Sequence, residues 1–590
     1  MTSMKLKPKT KHSKTFINEK KNLISGALLN KKLNTIKNNI TSYLSENPIN
    51  ITCRDIKDEY KYTVFISVSD GKTRARVCHA SAPDFDTAWD KVCERVKAVT
   101  ERHKLTPIWL KADIVDFVQR IPYLELKDIF LTGRYRKFFR MGFSMDPRMD
   151  LAFLEAEANS YELYDYSVIP MKASLPGHEN IPCINLERIT QYLEWSGRKT
   201  VPCIMPYMYF FDCQSFFMDG DGEMYRLYGE GINCGRRITK EVTPDLVKEI
   251  VSTSSKYLNK QLLKSGKFIY GYFPAFHATL TSYNILRHTG TVWSMICAYE
   301  LTGDDSLIET VNKAIDYLLT QVKDMDEERA FVIEEKSKEI KLGGNGIAII
   351  TLSKHMEVFG DRDFTEMIRK LAEGLLFMQN SENGKMTHVL HAEDYSVKEE
   401  FRTVYYDGES AYALVKAYEI TQDKKYLERA RLSIDYFIDK DYVIYRDHWL
   451  AYAMNEFTKF VCEEKYITFA LRNAWENRER IHNQQTSYHT YLELLMETYD
   501  IYLRMKAMNI SVEYMEQMDE AELVDTIKFR AAHMLNGYFY PEYAMYMEKP
   551  DKVSGAFFIR HDDFRTRIDD EQHFIDGYVK FYKLMFSKTE

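Results

Sequence analysis

The sequence predicts a mainly α-helical protein, a closed ring of helical hairpins preceded by a smaller α/β domain. Two observations carry that reading. Arg287–Leu319, Gly343–Met378 and Asp407–Phe437 repeat one design, a helix, a tight turn and a returning amphipathic helix, and His448 to about Trp475 is a fourth, worn copy. Such a hairpin cannot bury its apolar face alone and must stack on its neighbours. The second observation is length, because 590 residues exceed what one core holds and imply two or three domains.

Residues 1–45 read as a basic arm. Ten lysines stand against one acid, Glu19, over residues 1–40, with a short amphipathic helix through Leu23–Leu29 and Leu33–Ile40. Residues 50–175 read as a small α/β domain. Tyr60–Val68 alternates as a strand, Ser69-Asp70-Gly71 turns, and Thr73–His79 returns. Ala88–Val99 then has helical spacing, and Pro107–Ala112 supplies a third strand. With no glycine-rich phosphate loop and no paired metal ligands, this domain is expected to recruit a protein partner. The basic run Arg134, Arg136, Lys137 and Arg140 suits a phosphate, a carboxylate or the acidic second half of the chain.

Residues 176–240 form an aromatic, glycine-rich linking segment. A helix is expected over 184–200 and a β-hairpin turning at Asp219-Gly220-Asp221-Gly222. That Asp/Gly run lacks the twelve-residue spacing and final glutamate of a calcium loop. The YGEG and CGRR runs at Tyr228–Gly231 and Cys234–Arg237 suit the edge of a cleft, since glycines let backbone approach a ligand closely.

Residues 241–590 carry the ring. Leu246–Leu263 pairs with the last helix, Asp569–Leu584, across the hairpins at 285–319, 344–378, 408–438 and 448–478 and the pair Tyr488–Met505 with Met518–Met534. Twelve helices in six radial pairs close a toroid that needs no capped edge.

The nine cysteines are odd in number and form no CxxC pair, which points to reduced thiols and a cytoplasmic setting. Neither a signal peptide nor a membrane span is expected. A net charge of -7 gives no reason to invoke nucleic acid.

The arrangement over about residues 240–590 resembles the six-hairpin (α/α)6-barrel superfamily, which includes glycoside hydrolases, polysaccharide lyases and sugar 2-epimerases. The Asp423–Phe437 return helix behind its AYxxT turn carries the likeness most clearly. The resemblance implies an active site at the barrel mouth, built from loops and the N-terminal ends of the inner helices. No single catalytic signature of the superfamily is matched. The paired histidines of the sugar epimerases are not placed, and the zinc ligands of the lanthionine cyclases are absent.

The residues that open the inner helices are therefore the candidates. Glycosidic chemistry needs one protonated carboxyl and one carboxylate, for which Asp407, Glu409, Asp447 and Asp569 stand as catalytic candidates. Asp407 comes first, with an N-cap on the following helix as its structural alternative. Arg287, His288, Tyr405, Tyr406, His448, His489 and Asp570 stand as substrate-binding residues, Arg287 through its planar fork and the histidines through hydroxyl contacts. The Arg560–His573 run, with Asp562, Asp563, Asp569, Asp570 and His573, is the densest ionisable cluster and suits a completed rim, a metal site or a surface ion-pair network. The functional expectation is a carbohydrate-active enzyme that cleaves a glycosidic bond in a saccharide or glycoconjugate by hydrolysis or elimination, without a cofactor or metal. The competing expectation is a non-catalytic cytosolic glycan- or protein-binding assembly factor.

Overall fold

The computed structural model describes residues 11–126, 139–164, 184–198 and 202–587, with side chains from residue 26. Arg134, Arg136 and Lys137 lie outside the described residues.

The α/β unit is built on one antiparallel sheet. Its strands are β1 (Tyr62–Ser69), β2 (Arg76–Ala82), β3 (Trp109–Pro122), β4 (Gly142–Ser144), β5 (Ala152–Phe153), β6 (Tyr207–Met218) and β7 (Met224–Leu227). The order is β2-β1-β3-β6-β4-β5, with β7 also on β6. β3 and β6 pair along nearly their whole length, so the segment expected to link two domains supplies a central strand of the sheet. The hairpin turn expected at Asp219 is present between β6 and β7. The Asp219 carboxylate accepts the backbone N–H groups of Asp221, Gly222 and Glu223 at 2.9–3.0 Å, so its charge is spent on the turn.

The basic arm is not short or wholly solvated. Lys11–Glu46 is one helix, and Leu29, Leu33, Ile36 and Ile40 recur at helical spacing to bury one stripe against Ile66, Trp89 and Val92. Lys32 completes the contact by donating to the carbonyls of Ile108 and Asp219.

The ring forms as expected. Six inner helices, Ile285–Thr302, Leu342–Val358, Tyr405–Thr421, His448–Phe460, Thr490–Ala507 and Ile568–Met585, pack each on the next, and the sixth packs back on the first. Six outer helices, Pro244–Gln261, Ser306–Thr320, Thr365–Phe377, Lys424–Asp439, Glu464–Trp475 and Glu520–Met534, surround them. The first outer helix lies on the last inner one, so the two ends of this stretch close the ring. Inner and outer helices read differently for a physical reason. The returning helix Ser306–Thr320 buries Leu307, Val311, Ala314, Ile315 and Leu318 on one face. The inner helix Leu342–Val358 is buried nearly all round, since it meets neighbours on every side. Burying each large apolar side chain contributes about 1.5–3 kcal/mol. The inner ring is tight enough that a Cβ on Gly408 would lie 2.5 Å from the Leu450 nitrogen.

The two units meet over the segment 537–560. Met545 and Tyr546 pack among Phe65, Phe211 and Phe217 of the sheet, the Tyr546 hydroxyl hydrogen-bonds Ser67 at 2.8 Å, and Arg237 holds Glu542 in a bidentate pair. Among the described residues no helix is long and apolar enough to cross a membrane.

Candidate active site

The six inner helices present their N-terminal turns to one end of the ring, where they enclose a cavity of about 440 Å³. Trp293 packs on Trp449 at 5.6 Å and on Tyr452 at 5.3 Å, filling the bore below. The mouth is thus a blind pocket with an aromatic floor.

Three histidines converge there from three inner helices. His448 opens the fourth, His489 caps the fifth, and His573 lies in the second turn of the sixth. The His573 ring stacks on His489 at 5.2 Å and meets His448 edge-on at 4.8 Å. His448 is only 2 % exposed, and neither ring nitrogen has a hydrogen-bond partner. Burial first, then the neighbouring imidazoles, hold its pKa well below the ordinary value, so the ring is neutral at neutral pH.

His573 is oriented differently. Its Nδ1 is 2.9 Å from Glu493 Oε2, and the Tyr452 hydroxyl donates to Oε1 at 3.1 Å. Burial raises the Glu493 carboxyl and lowers the His573 imidazole, so the pair is held in its net-neutral form. That form carries two protons, one between Oε2 and Nδ1 and the other on Nε2, which is left to the cavity. His448, Glu493 and His573 also place donor atoms within 4.8 Å of one another, a spacing that suits a divalent ion. Within this group Glu493 Oε2 and His573 Nδ1 are already hydrogen-bonded to each other.

The carboxyl candidates separate. Glu409 lines the mouth, its Oε2 is unpartnered, and burial together with Asp447 pushes its pKa well above the usual range, so it is protonated. Any side chain at Gly343 would collide with that carboxyl. Asp569 also lines the mouth, but it is taken up by Arg287 at 3.2 Å and by Arg567. Asp407 points away, bonded to His388 Nε2 at 3.2 Å and to the Tyr442 hydroxyl at 3.2 Å, and does not line the cavity. Asp570 is likewise buried beside the mouth, paired with Arg565 at 3.1 Å and Arg567 at 3.3 Å.

Asp447 caps the fourth inner helix, accepting from the Trp449 N–H at 2.9 Å, while its second oxygen has no partner. Burial pushes its pKa up to about 8. The folded state therefore holds a proton that the unfolded chain releases above about pH 4, and stability is lost as pH rises toward 8. Asp447→Asn keeps the cap and removes the titration. Its melting temperature should match the wild type near pH 4 and exceed it increasingly up to pH 8, by on the order of 1 kcal/mol per pH unit in stability. A gain that does not grow with pH would contradict this.

Of the binding candidates, Arg287, Tyr405, Tyr406, His448 and His489 line the mouth. His288 does not. It is fully buried between helices, with Nδ1 2.7 Å from the Tyr283 hydroxyl and Nε2 2.9 Å from the Ala314 carbonyl. Glu493, Trp449, Gln572 and Tyr488 were not among the expected site residues. Glu493 had a signal, an acid four residues after His489 and four before Glu497, so that the three share one helix face.

No protein-family model matches the chain, and no curated protein matches it in sequence. Solved structures similar in fold include cellobiose 2-epimerase from Bacillus thermoamylovorans, 12% identical, covering 58% of this chain and 98% of that one with a TM-score of 0.46. A D-mannose isomerase is 11% identical, covering 59% of this chain and 99% of that one with a TM-score of 0.45. An alpha-1,6-mannanase from a Salegentibacter species is 11% identical, covering 57% and 98% with a TM-score of 0.40. By its own closed ring of six inner and six outer helices, the chain is a six-hairpin (α/α)6-barrel protein carrying an α/β unit at its N-terminal side.

Proposed function

We propose that the protein is a carbohydrate-active enzyme that moves a proton beside the carbonyl carbon of a reducing sugar, as an isomerase or 2-epimerase. The observation that carries this is the pair of neutral imidazoles in one blind pocket, His448 without a hydrogen-bond partner among the described residues and His573 oriented by a buried carboxyl. Neutral imidazole is the base that proton abstraction next to a carbonyl requires, and a second protonated group is needed at the carbonyl oxygen. In the open-chain sugar, His448 takes the proton from C2 while Nε2 of His573 gives one to O1, leaving an enediol. Return of a proton to C2 on the opposite face with loss of the O1 proton gives the epimer, and return to C1 with loss of the O2 proton gives the ketose. Trp449, Tyr405 and Tyr406 supply flat faces for a sugar ring, and Arg287 and Gln572 supply donors for hydroxyls.

Cleavage of a glycosidic bond is the second reading, favoured by the protonated Glu409. Its partner at the mouth is Asp569, which two guanidinium groups already hold.

The test is incubation of the full chain with reducing mono- and disaccharides in D2O, followed by NMR. Deuterium at C2 of a new epimer, or at C1 of a new ketose, is expected, unaffected by a chelator and slowed about 10–100-fold in Glu493→Gln, which loses the carboxyl that orients His573. Release of monosaccharide without exchange at C2 would transfer the chemistry to Glu409 and Asp569. Loss of exchange on chelation, restored by a divalent ion, would make the three donors a metal site. Binding without turnover would leave a glycan-binding assembly factor.

A further inference from the structure

A second cavity, larger than the mouth at about 630 Å³, lies where the loop after β7 meets the barrel helices Arg478–His482 and Glu520–Met534. This is the cleft edged by the glycine-rich Tyr228–Arg237 run, and nothing in the mouth chemistry uses it. Its size falls within the range of small-molecule sites, which favour domain junctions.

Its chemistry differs from that of the mouth. In a chain of net charge -7, the described residues that line the cleft include two arginines and two histidines and no aspartate or glutamate. Arg140 is balanced by Glu155 at 3.4 Å. Arg236 forms an ion pair with no carboxylate among the described residues. It is 7 % exposed, and its hydrogen bonds go to neutral groups, Nε to Asn536 Oδ1 at 3.0 Å and Nη1 to Thr239 Oγ1 at 3.2 Å. The neighbouring carboxylate, Glu542, is taken by Arg237. Behind the cleft wall Arg530 is fully buried and donates to the carbonyls of Gln484, Thr486 and Ser487, a second cation without an ion pair among the described residues. Two buried guanidinium groups without counter-charge are costly unless an anion shares the site.

The opposite wall is a stack of rings. His482 lies on Phe529 at 4.0 Å and 21°, and Phe529 on His533 at 5.7 Å and 18°. Phe529 is 39 % exposed although it sits in a cleft. His533 is neutral, since burial lowers its pKa to about 4 and its Nε2 donates to the Gln485 carbonyl at 2.9 Å. A flat apolar wall facing an uncompensated guanidinium suits a ligand with one anionic end and one ring.

We propose that this cleft binds a small phosphate ester, with the phosphate on Arg236 and the ring of the ester against the His482–Phe529 wall. The phosphate source, a sugar phosphate or a nucleotide, is separated by the test. The readout is binding, so it stands apart from the reaction at the mouth.

Isothermal titration of the full chain with inorganic phosphate, glucose 6-phosphate, AMP and unphosphorylated glucose tests the site. One of the two esters is expected to bind at least tenfold more tightly than inorganic phosphate, and any binding of glucose, which belongs to the mouth, to be unchanged in Arg236→Gln. Arg236→Gln should weaken the ester at least tenfold, with Arg236→Lys in between. Phe529→Ala, at an exposed position, should remove the advantage of the ester over inorganic phosphate. Absence of binding by both esters at millimolar concentration would overturn the proposal, as would unchanged affinity in Arg236→Gln. Equal affinity for inorganic phosphate and both esters would overturn the role of the ring wall.

Discussion

Replacing His448 by asparagine is expected to lower turnover of a reducing sugar by about 10²–10⁴-fold, the range in which a positioned acid–base group contributes. The substitution is mild for the fold. Neither ring nitrogen of His448 has a hydrogen-bond partner among the described residues, the nearest carboxylate being Asp447 at 3.7 Å from Nδ1, so no hydrogen bond is broken when the ring is removed. The loss should fall on turnover and leave KM nearly unchanged, because a base acts only as the C–H bond breaks. The same burial that hides His448 sets its pH behaviour. Its pKa lies well below the ordinary histidine value, so wild-type activity should not decline as pH falls through about 6.5. Steady-state rates from pH 5 to 8 check both statements. Turnover of His448→Asn within tenfold of wild type would remove this residue from the chemistry.

The ring was legible because its signal is repeated. Apolar positions at helical spacing recur hairpin after hairpin, and four copies constrain one another in a way that a single amphipathic helix does not. The residues inside the mouth were only half legible, and helix geometry explains why. Asp407 and Glu409 stand two residues apart, about 200° around the helix. One of them had to face the mouth and the other the helix packing, and sequence does not state the rotation. The structure turns Glu409 inward and gives Asp407 to His388 and Tyr442. The same applies to Arg287, which faces the cavity, and His288, which is spent between helices. The Glu493–His573 dyad joins residues 80 apart on the fifth and sixth inner helices, and only the packing of those two helices on each other brings them together. Strand β6 was legible as a strand, but its place beside β3 was not, because pairing across so long an insertion is fixed by tertiary packing.

The largest stability effect is expected at the junction of the two units, from Glu542→Ala. The Glu542 side chain is fully buried and accepts three hydrogen bonds from one residue, from the Arg237 backbone N–H at 3.0 Å, Nε at 2.9 Å and Nη2 at 2.7 Å. Arg237 itself lies over Tyr225 at 3.8 Å and Tyr540 at 4.5 Å with its side chain 17 % exposed, so its guanidinium is held largely between the two rings. Removing the carboxylate alone strands a buried cation and should cost about 3–5 kcal/mol. The cost is mostly that of the stranded charge, and this separates it from simple loss of packing. Arg237→Met in the Glu542→Leu background removes both charges and fills the space, and should recover most of the loss. Because the pair sits between two units, calorimetry of Glu542→Ala should show the wild-type transition moving down and splitting, with the α/β unit melting first. A shift equivalent to less than about 1 kcal/mol would mean that the pair is screened, and the apolar contacts of Met545 and Tyr546 would then be what joins the sheet to the ring.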